Sequence, residues 1–305
     1  MAEDVFYELN DGMVVQSHPQ FEVAIICAIF HPELTSVLDT GEKDWQTLEC
    51  EENDPARYYA TQFVSAKGSE FSVVAAAATQ MGMASASVLA TKMIIKFRPR
   101  IVVMVGIAAG SDSARQNYGD ILAASMTFDY GAGKELSRDG TPLFQPDPYP
   151  IAVQPAILTR LMQWDTRNLK NILERWAAKK GEERLPAPNL HLHVGPIASG
   201  SAVIDRNGVV EAIKSNFRKL IGIEMEAYGV HRACQEATKT PTAFICLKSI
   251  CDFAASKEDK WQSYSAFTAA QYCHEFLTHE WEGLCSDTAA ATMANRISLS
   301  QSIGQ

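Results

Sequence analysis

The 305-residue sequence predicts a single α/β domain, and three observations carry that prediction. Short apolar runs typical of buried strands alternate with segments of helical periodicity from residue 21 onwards. Hydrophobic residues make up 47% of the chain, which is enough to form a sizeable core. No internal repeat is apparent, so the alternation favours one domain around a mostly parallel or mixed sheet.

The first half of the chain contains four predicted strands and two predicted helices. Residues 1–20 are polar and have no clear period, and we expect them to form an N-terminal extension. Apolar and β-branched runs predict strands at 21–30, 70–78, 101–105 and 121–125. The segment at 33–40 begins like a helix, and 85–97 has apolar residues at helical spacing and ends before Pro99.

The second half contains the remaining elements. Residues 134–150 are rich in Gly, Pro and Asp, which predicts a loop, and 151–186 predicts one or two helices with a solvated, mixed-charge face. Further strands are predicted at 190–194 and 242–247, and further helices at 209–216 and 264–277. From residue 286 the chain is rich in Ala, Ser and Thr, and we expect 286–305 to be a flexible tail.

Charge, cysteine use and hydropathy exclude several classes of protein. The formal net charge of -9 argues against a general nucleic-acid binder, which needs a basic surface. The seven cysteines are odd in number and form no C-x-x-C pair, and the start of the chain is unlike a signal peptide. These features predict a reducing, cytoplasmic location with free thiols. The apolar stretches at 73–78 and 101–109 are too short to cross a bilayer as helices, so no membrane role is expected.

The run Ile221-Gly-Ile-Glu-Met-Glu-Ala-Tyr-Gly-Val230 is the most informative segment of the chain. Its apolar residues end in two carboxylates, Glu224 and Glu226, separated by Met225, and a helix-like segment begins at Ala227. If the run before that helix is extended, both carboxylates point to the same side. Such a pair, beside a flexible thioether, can accept hydrogen bonds from a sugar diol. Acidic residues near a helix start also suit its dipole without any further role.

Two further acids and one glycine-rich segment follow predicted strands. Asp252 comes just after the strand at 242–247, where ligands gather in open α/β sheets, and Glu33 comes shortly after the first strand. Asp252 could hydrogen-bond a leaving group and Glu33 could activate a water, whereas the alternatives are a capping residue and a first-turn residue. Gly106-Ile-Ala-Ala-Gly110 either lets a ligand approach the backbone closely or forms a simple glycine turn. It is neither a Walker loop, since no Gly-Lys-[Ser/Thr] follows, nor a G-x-G-x-x-G motif.

No metal or cofactor site is predicted. His191 and His193 would lie on one strand face, as metal ligands sometimes do, but no third ligand stands at motif spacing. The sequence has no Gly-x-Ser-x-Gly elbow, and no single cysteine stands out as a nucleophile. We therefore expect neither a metal nor a cofactor.

Six segments, in their order along the chain, resemble the nucleoside phosphorylase superfamily. They are VAIICAIFHPEL, VVMVGIAAG, YGDILAAS, ASGSAVID at 198–205, IGIEMEA and KSICDF. The closer likeness is to the nucleosidase branch, which includes methylthioadenosine/S-adenosylhomocysteine nucleosidases and purine nucleosidase domains of antiviral defence proteins. The match, from about Val23 to Leu277, implies a three-layer α/β/α fold with a central mixed β-sheet. It also implies a nucleoside phosphorylase-like catalytic domain over 21–285 and a homo-oligomer, a dimer or higher.

The resemblance also assigns roles by position. Asp252 looks like the acid that protonates or hydrogen-bonds the purine N7, and Glu33 looks like the residue that orients and deprotonates the attacking water. Glu226 looks like the acceptor for the sugar hydroxyls, with Met225 beside it. The other residues that the resemblance implies along the base and sugar are Ala108, Ala109, Val203, Ile204, Ile223, Glu224 and, as an aromatic over the base, Tyr264.

The sequence departs from the compared branch at several positions. Lys248 stands where that branch has Arg, Cys251 where it has Ser, and Ser201 where it has Asp. The Arg-to-Lys change alters what is recognised, because Lys is a point charge and Arg a planar fork. KSICDF is closer to the defence-type domains, some of which act on ATP or related nucleotides. Lys248 and Arg206 are then candidates to meet a phosphate, the alternative being that both are surface cations.

The predicted function is hydrolysis of the N-glycosidic bond of a purine nucleoside or nucleotide. The expected substrate is of the adenosine type, and AMP and ATP are among the candidates. Phosphate-dependent phosphorolysis is the first alternative, but the first-strand loop offers His31 and Glu33 and no Arg or Lys. A nucleotide-sensing module with an inactive pocket is the second alternative, and the intact candidate acids argue against it. The expected partner is a small purine compound, with no nucleic acid and no membrane.

Overall fold

A computed structural model describes residues 6–8, 14–16, 21–48, 53–138, 140–164, 169–180, 185–201, 208–254 and 259–303. The strands are β1 (Phe6–Glu8), β2 (Val14–Gln16), β3 (Val23–Cys27), β4 (Gln46–Leu48), β5 (Tyr58–Val64), β6 (Glu70–Ala77), β7 (Ile101–Gly110), β8 (Ile121–Asp129), β9 (Gly133–Arg138), β10 (Thr141–Pro146), β11 (Ile151–Ala152), β12 (Leu192–Ser199), β13 (Gly222–Glu224) and β14 (Ala243–Asp252). The helices are α1 (Thr35–Leu38), α2 (Met83–Phe97), α3 (Pro155–Gln163), α4 (Leu169–Lys180), α5 (Val209–Asn216), α6 (Ala227–Glu236) and α7 (Gln262–Ile303). A π-helical turn, Phe30–Leu34, precedes α1, and a 3₁₀ turn, Asp259–Trp261, precedes α7.

Strand β7 lies at the centre of a mixed sheet. It pairs in parallel with β3 and β14 and antiparallel with β13. The sheet order is β11-β8-β12-β13-β7-β3-β6-β5-β4, and β14 pairs with both β7 and β8. Strands β7, β14, β8, β12 and β13 therefore form a closed circuit of pairings. Almost every residue of β14 is buried, as expected of a strand covered on both faces.

Helices cover both faces of this sheet. Along β14, the ring of Phe244 stacks on His231 of α6, and the hydroxyl of Ser249 contacts Thr268 of α7 at 2.8 Å. Successive side chains of a strand point to opposite faces, so α6 and α7 lie on opposite sides of β14. Helix α2 packs on α6, whereas α1, α3 and α4 pack on α7. The predicted three-layer α/β/α fold is thus confirmed.

The segment predicted as a loop at 134–150 contains a β-hairpin instead. Strands β9 and β10 pair antiparallel with Arg138 opposite Thr141, so that two residues, Asp139 and Gly140, separate them in the chain. Asp-Gly is a favoured two-residue hairpin connection. Of the residues that predict a loop, only Asp139 and Gly140 stand between the two strands, whereas Pro142 and Pro146 lie within β10.

Several element bounds also differ from the prediction. Strand β7 runs five residues beyond Val105, so Gly106-Ile-Ala-Ala-Gly110 belongs to the strand rather than to a turn after it. The closing helix α7 continues to Ile303, which replaces the flexible tail predicted from residue 286. The stretch 286–303 contains no glycine or proline and is rich in alanine, a composition that favours a helix. Within the N-terminal extension, β1 and β2 pair antiparallel.

Despite the length of α7, none of the helices in the described part of the chain is both long and apolar enough to cross a membrane.

Candidate active site

A cavity of about 230 Å³ opens where the C-terminal ends of β3, β7 and β14 meet β13. Its position agrees with the general rule that ligands bind at the carboxyl ends of strands in α/β sheets. Four carboxylates reach it, those of Glu33, Glu224, Glu226 and Asp252. The other described residues that line it are Ala28, Ile29, Met81, Ile107, Ala108, Ala109, Ile223, Met225, Cys251, Ala254 and Gln262.

Glu33 lies in the π-helical turn after β3, and the backbone around it holds its carboxylate. Oε2 accepts hydrogen bonds from the N–H groups of Ala28 (2.7 Å) and Ile29 (3.2 Å), and Oε1 accepts one from Ile107 (2.8 Å). A Cβ atom at Gly106 would lie 2.1 Å from Oε1, so the carboxylate occupies space that only glycine leaves open. Burial raises the pKa of Glu33, and the nearby ammonium group of Lys248 opposes that shift.

Glu224 ends β13, and protein donors occupy both of its oxygens. The hydroxyl of Ser199 donates to Oε1 at 2.5 Å, and the N–H groups of Glu226 and Ala227 donate to Oε2 at 2.9 and 2.8 Å. The last two bonds satisfy donors at the start of α6. Burial raises the pKa of Glu224, while Lys248 again acts in the opposite direction. Glu224 lines the cavity, but its carboxylate mainly joins β12, β13 and α6.

Glu226 stands at the N-cap position of α6 with its side chain turned away from that helix. Its Oε1 accepts a hydrogen bond from the N–H of Gly82, at 2.8 Å, and its Oε2 lies 3.6 Å from Nζ of Lys248. Oε2 of Glu224 lies 3.5 Å from the same nitrogen. The two carboxylates therefore face the same side, as the extended run of residues before Ala227 predicts.

The structure corrects both readings of Lys248, as a phosphate ligand and as a surface cation. The side chain is completely buried, and it is not among the residues that line the cavity. Burial alone would lower its pKa, but attraction to Glu33, Glu224 and Glu226 outweighs that effect and raises it, so the ammonium stays charged. A buried charge requires counter-charges, and these carboxylates supply them. Arg206, the other phosphate candidate, lies outside the described residues, as do Val203 and Ile204.

Asp252 is the last residue of β14, and a β-bulge brings it opposite Ala109 of β7. Its Oδ1 accepts a hydrogen bond from the N–H of Ala254 at 2.8 Å, and its Oδ2 lies 3.3 Å from the sulfur of Cys251. Burial and the charge of Asp252 raise the pKa of the Cys251 thiol. The thiol therefore stays protonated and can donate either to Oδ2 of Asp252 or to the carbonyl oxygen of Ala108, 3.6 Å away. The Asp252 side chain lines the cavity.

Tyr264 is the one described residue of the predicted set, besides Lys248, that does not line the cavity. Its ring is buried against Trp176 and Trp261, and a Cβ atom at Gly119 would lie 2.3 Å from it. The first turn of α7 directs this side chain into an aromatic cluster, whereas Gln262 at the start of the same turn reaches the cavity.

The two histidines considered as metal ligands hold a buried carboxylate instead. Nε2 of His193 lies 2.9 Å from Asp120, and the backbone N–H of His191 donates to Asp120 at 2.9 Å. Among the described residues, no group of three or more His, Cys, Asp or Glu side chains could hold a metal ion. This cluster therefore fixes the start of β8 and β12.

A second cavity of about 730 Å³ lies between the β9–β10 hairpin and α5. Its described lining is mostly apolar and aromatic, with Phe128, Tyr130, Phe144 and Phe217, and it includes one carboxylate, Glu135. It is larger than the first cavity, but it lacks a converging set of acids. The candidate chemistry therefore lies in the smaller cavity.

Comparison with known families and proteins matches the part of the chain that contains the cavity residues. The family described as "Phosphorylase superfamily" matches residues 22–275. "Uncharacterized protein y4jS" of Sinorhizobium fredii is 31% identical over 258 residues, which are 84% of this chain and 61% of that protein. "ATP nucleosidase Cap17" of Escherichia coli is 27% identical over 234 residues, 73% of this chain and 45% of that protein. The chain thus spans about half to three-fifths of the length of these two relatives.

A shorter relative and two solved structures complete the comparison. The 5'-methylthioadenosine/S-adenosylhomocysteine nucleosidase of Staphylococcus epidermidis is 26% identical over 179 residues, 59% of this chain and 68% of that protein. The nucleosidase of that name from Neisseria meningitidis, solved with methylthio-immucillin-A, has a TM-score of 0.60 at 18% identity and covers 84% of this chain and 98% of its own. Futalosine hydrolase of Helicobacter pylori has a TM-score of 0.59 at 20% identity, over 85% and 97%. These structures share the fold described above.

Proposed function

Because the chain belongs to the phosphorylase superfamily, we propose that it hydrolyses the N-glycosidic bond of a purine nucleoside or nucleotide. The products are the free base and the sugar or sugar phosphate. One observation carries the proposal: Glu33, Glu226 and Asp252 line a single cavity at the carboxyl ends of the strands. The relatives named as an ATP nucleosidase and as a methylthioadenosine/S-adenosylhomocysteine nucleosidase favour an adenosine-type substrate.

The proposed roles follow from the charges that form as the bond breaks. Positive charge builds on the sugar and negative charge on the base, and groups placed to meet them lower the barrier. Glu226, with Met225 beside it, accepts from the sugar hydroxyls, and Asp252 supplies or shares a proton at the purine N7. Glu33 takes a proton from the attacking water. Proton transfer of this kind typically contributes ~10²–10⁴-fold to the rate.

Water is the favoured nucleophile over phosphate. The described residues that line the cavity include four carboxylates and no Lys, Arg or His. A phosphate dianion in such a cavity would meet like charges without a cation that can reach it, because three carboxylates already surround Lys248. This arrangement argues against phosphorolysis.

A substrate panel tests the proposal. Adenosine, methylthioadenosine, AMP and ATP are each incubated with the protein, with and without added phosphate, and the base and sugar products are identified by chromatography. We expect free adenine from at least one compound at a rate independent of phosphate. Strict dependence on phosphate would identify a phosphorylase, and a purine that binds tightly yet stays intact over hours would identify a sensing module.

The catalytic unit, the location and the assembly of the protein belong to the same proposal. The matched residues 22–275 fall within 21–285, which we propose as the catalytic unit. We also propose a cytoplasmic homo-oligomer that acts on a small purine compound, and a defence role if ATP proves to be the preferred substrate.

A further inference from the structure

Gly82 connects the start of α2 to Glu226 through an unusual backbone conformation. It occupies the N-cap position of α2 with φ 108° and ψ 157°, a region that is essentially restricted to glycine. This conformation directs its N–H group to Oε1 of Glu226, 144 residues further along the chain, at 2.8 Å. A Cβ atom at this position would meet nothing within 4 Å, so glycine is needed for its backbone and not for space.

The turn before α2 is itself held in place. The hydroxyl of Ser85 accepts a hydrogen bond from the N–H of Gln80 at 3.3 Å and lies 3.3 Å from the hydroxyl of Thr79. Met81, within the same turn, lines the cavity. The position of the Gly82 donor is therefore set by a small hydrogen-bonded turn at the edge of the site.

Two groups compete for the carboxylate of Glu226. Gly82 holds Oε1, whereas the ammonium group of Lys248 lies 3.6 Å from Oε2. Charge-assisted hydrogen bonds between ammonium and carboxylate groups are normally about 2.7–2.9 Å long. The ammonium and the Glu226 carboxylate are thus not in full contact, and the Gly82 N–H binds the carboxylate oxygen that does not face Lys248. No hydrogen-bond partner is found for Nζ of Lys248 among the described residues, so this nitrogen has donors to spare.

We propose that Gly82 is a positioning residue of the reaction, whose N–H keeps Glu226 from closing onto Lys248. The proposal rests on the function proposed above. A carboxylate has about four acceptor positions, and with one fixed by Gly82 the others remain directed at a sugar diol. Without that bond the carboxylate moves towards Lys248, and the acceptors meant for the sugar are lost to the ion pair.

The variant Gly82→Ala tests this proposal, with Gly68→Ala as its matched control. Gly68 also has a positive φ, 86°, and open space around its Cβ position, but it lies in the turn between β5 and β6. We expect Gly82→Ala to lower kcat/KM for adenosine by about 10–100-fold, since small displacements of catalytic groups have effects of that size. The rate on 2′,3′-dideoxyadenosine, which lacks both hydroxyls, should stay close to that of the wild type. Gly68→Ala should match the wild type on both substrates.

Crystal structures supply a readout that is independent of turnover. In Gly82→Ala, Oε2 of Glu226 should lie closer to Nζ of Lys248 than the 3.6 Å observed here. If Gly82→Ala does not fold, Ser85→Ala loosens the same turn without backbone strain and should shift the rates in the same direction. An unchanged carboxylate position, or equal losses on adenosine and its dideoxy analogue, would overturn the proposal. If the wild type cleaves no purine compound, the proposed function fails, while the Glu226–Lys248 distance still decides whether Gly82 holds the carboxylate.

Discussion

The Nζ atom of Lys248 lies 3.5 Å from Oε2 of Glu224, and both side chains are buried. The same ammonium group attracts Glu33 and Glu226, so one buried positive charge balances three carboxylates that line the cavity. Charges buried in this way are costly unless they are paired. Lys248 therefore compensates the burial of these carboxylates and opposes the rise in the pKa of Glu33 and Glu224.

Replacing Lys248 by methionine should strongly destabilise the protein. The change leaves three buried carboxylates without their counter-charge, and breaking a buried ion pair in this way typically costs about 3–5 kcal/mol. Urea unfolding at neutral pH measures the free energy of unfolding. Lys170→Met is a suitable control, because Lys170 and its partner Glu174 are exposed, and it should leave stability nearly unchanged. A Lys248→Met protein as stable as the wild type would contradict the role of the cluster.

Activity should fall as the pH is lowered through a raised pKa of Glu33. Burial moves this pKa above its ordinary value of 4.5, and the proposed base must be ionised to accept a proton from water. The acid limb of the kcat/KM profile for the best substrate should therefore lie above pH 4.5. Glu33→Gln should remove that limb and lower the rate by ~10²–10⁴-fold. A variant that keeps the acid limb unchanged would show that another group titrates there.

The raised pKa of Glu33 also affects the free energy of unfolding, but this effect favours low pH, whereas activity favours high pH. Because folding raises the pKa of Glu33, the folded state binds this proton more tightly than the unfolded chain does. The resulting stabilisation is complete below the ordinary pKa and is lost as the pH rises through the folded pKa. Compared with Glu33→Gln, the wild type should therefore lose free energy of unfolding as the pH rises above 4.5. Urea unfolding of both proteins over a pH series measures the difference, and a flat difference would refute the expectation.

Asp252→Asn should abolish most of the activity while preserving the fold. An asparagine can still accept the hydrogen bond from the N–H of Ala254 through Oδ1, but it cannot supply a carboxylic proton to the base. We expect a loss of ~10²–10⁴-fold in kcat on the best substrate, with an unchanged melting temperature. Asp112→Asn is the control, since Asp112 pairs with the exposed Arg115 away from the cavity. A fully active Asp252→Asn enzyme would remove Asp252 from the mechanism.

Gly106→Ala should damage both the fold and the site. The added methyl group would lie 2.1 Å from Oε1 of Glu33, so the carboxylate must leave its hydrogen bond to Ile107. Overpacking of this kind typically costs about 1–3 kcal/mol, and the displaced base should reduce kcat. Gly131→Ala, whose new atom would come only within 3.2 Å of Asp129, should have little effect on either quantity. Denaturant unfolding and steady-state kinetics on the two variants make the comparison.

Local patterns in the sequence predict the layered fold, whereas most of the cavity wall is predicted only through the resemblance to a known family. Buried strands and helices have recognisable periods, and the helix at 209–216 and the helix start at Ala227 agree with the structure. Ala108, Ala109, Ile223 and Met225 do line the cavity. The β9–β10 hairpin can also be predicted from the sequence, since Asp139-Gly140 is a favoured hairpin connection.

The buried charge cluster around Lys248 cannot be predicted from local patterns in the same way. Lysine is rarely buried, and the glutamates that make burial possible here are at positions 33, 224 and 226, far from Lys248 along the chain. Gly82 and Ser199 were missed for a similar reason, because each contacts a glutamate that is distant in sequence. The one local hint for Gly82 is that this glycine lies three residues before the helix predicted at 85–97. Tyr264 shows the opposite error, because family position indicates a pocket residue where packing directs the ring into the core.

Strand β7 links the loss of activity to the unfolding of the protein. The N–H of Ile107 in β7 binds Glu33, and Ala109 pairs with both Ile223 of β13 and Asp252 of β14. Glu33 and Asp252 are thus aligned against one central strand, and Ile223, which precedes Glu224, pairs with the same strand. Because β7 is almost fully buried, we expect its backbone amides to exchange with solvent mainly through global unfolding. Activity should consequently disappear in a single step along with the fold, and partly active, partly unfolded forms should not accumulate.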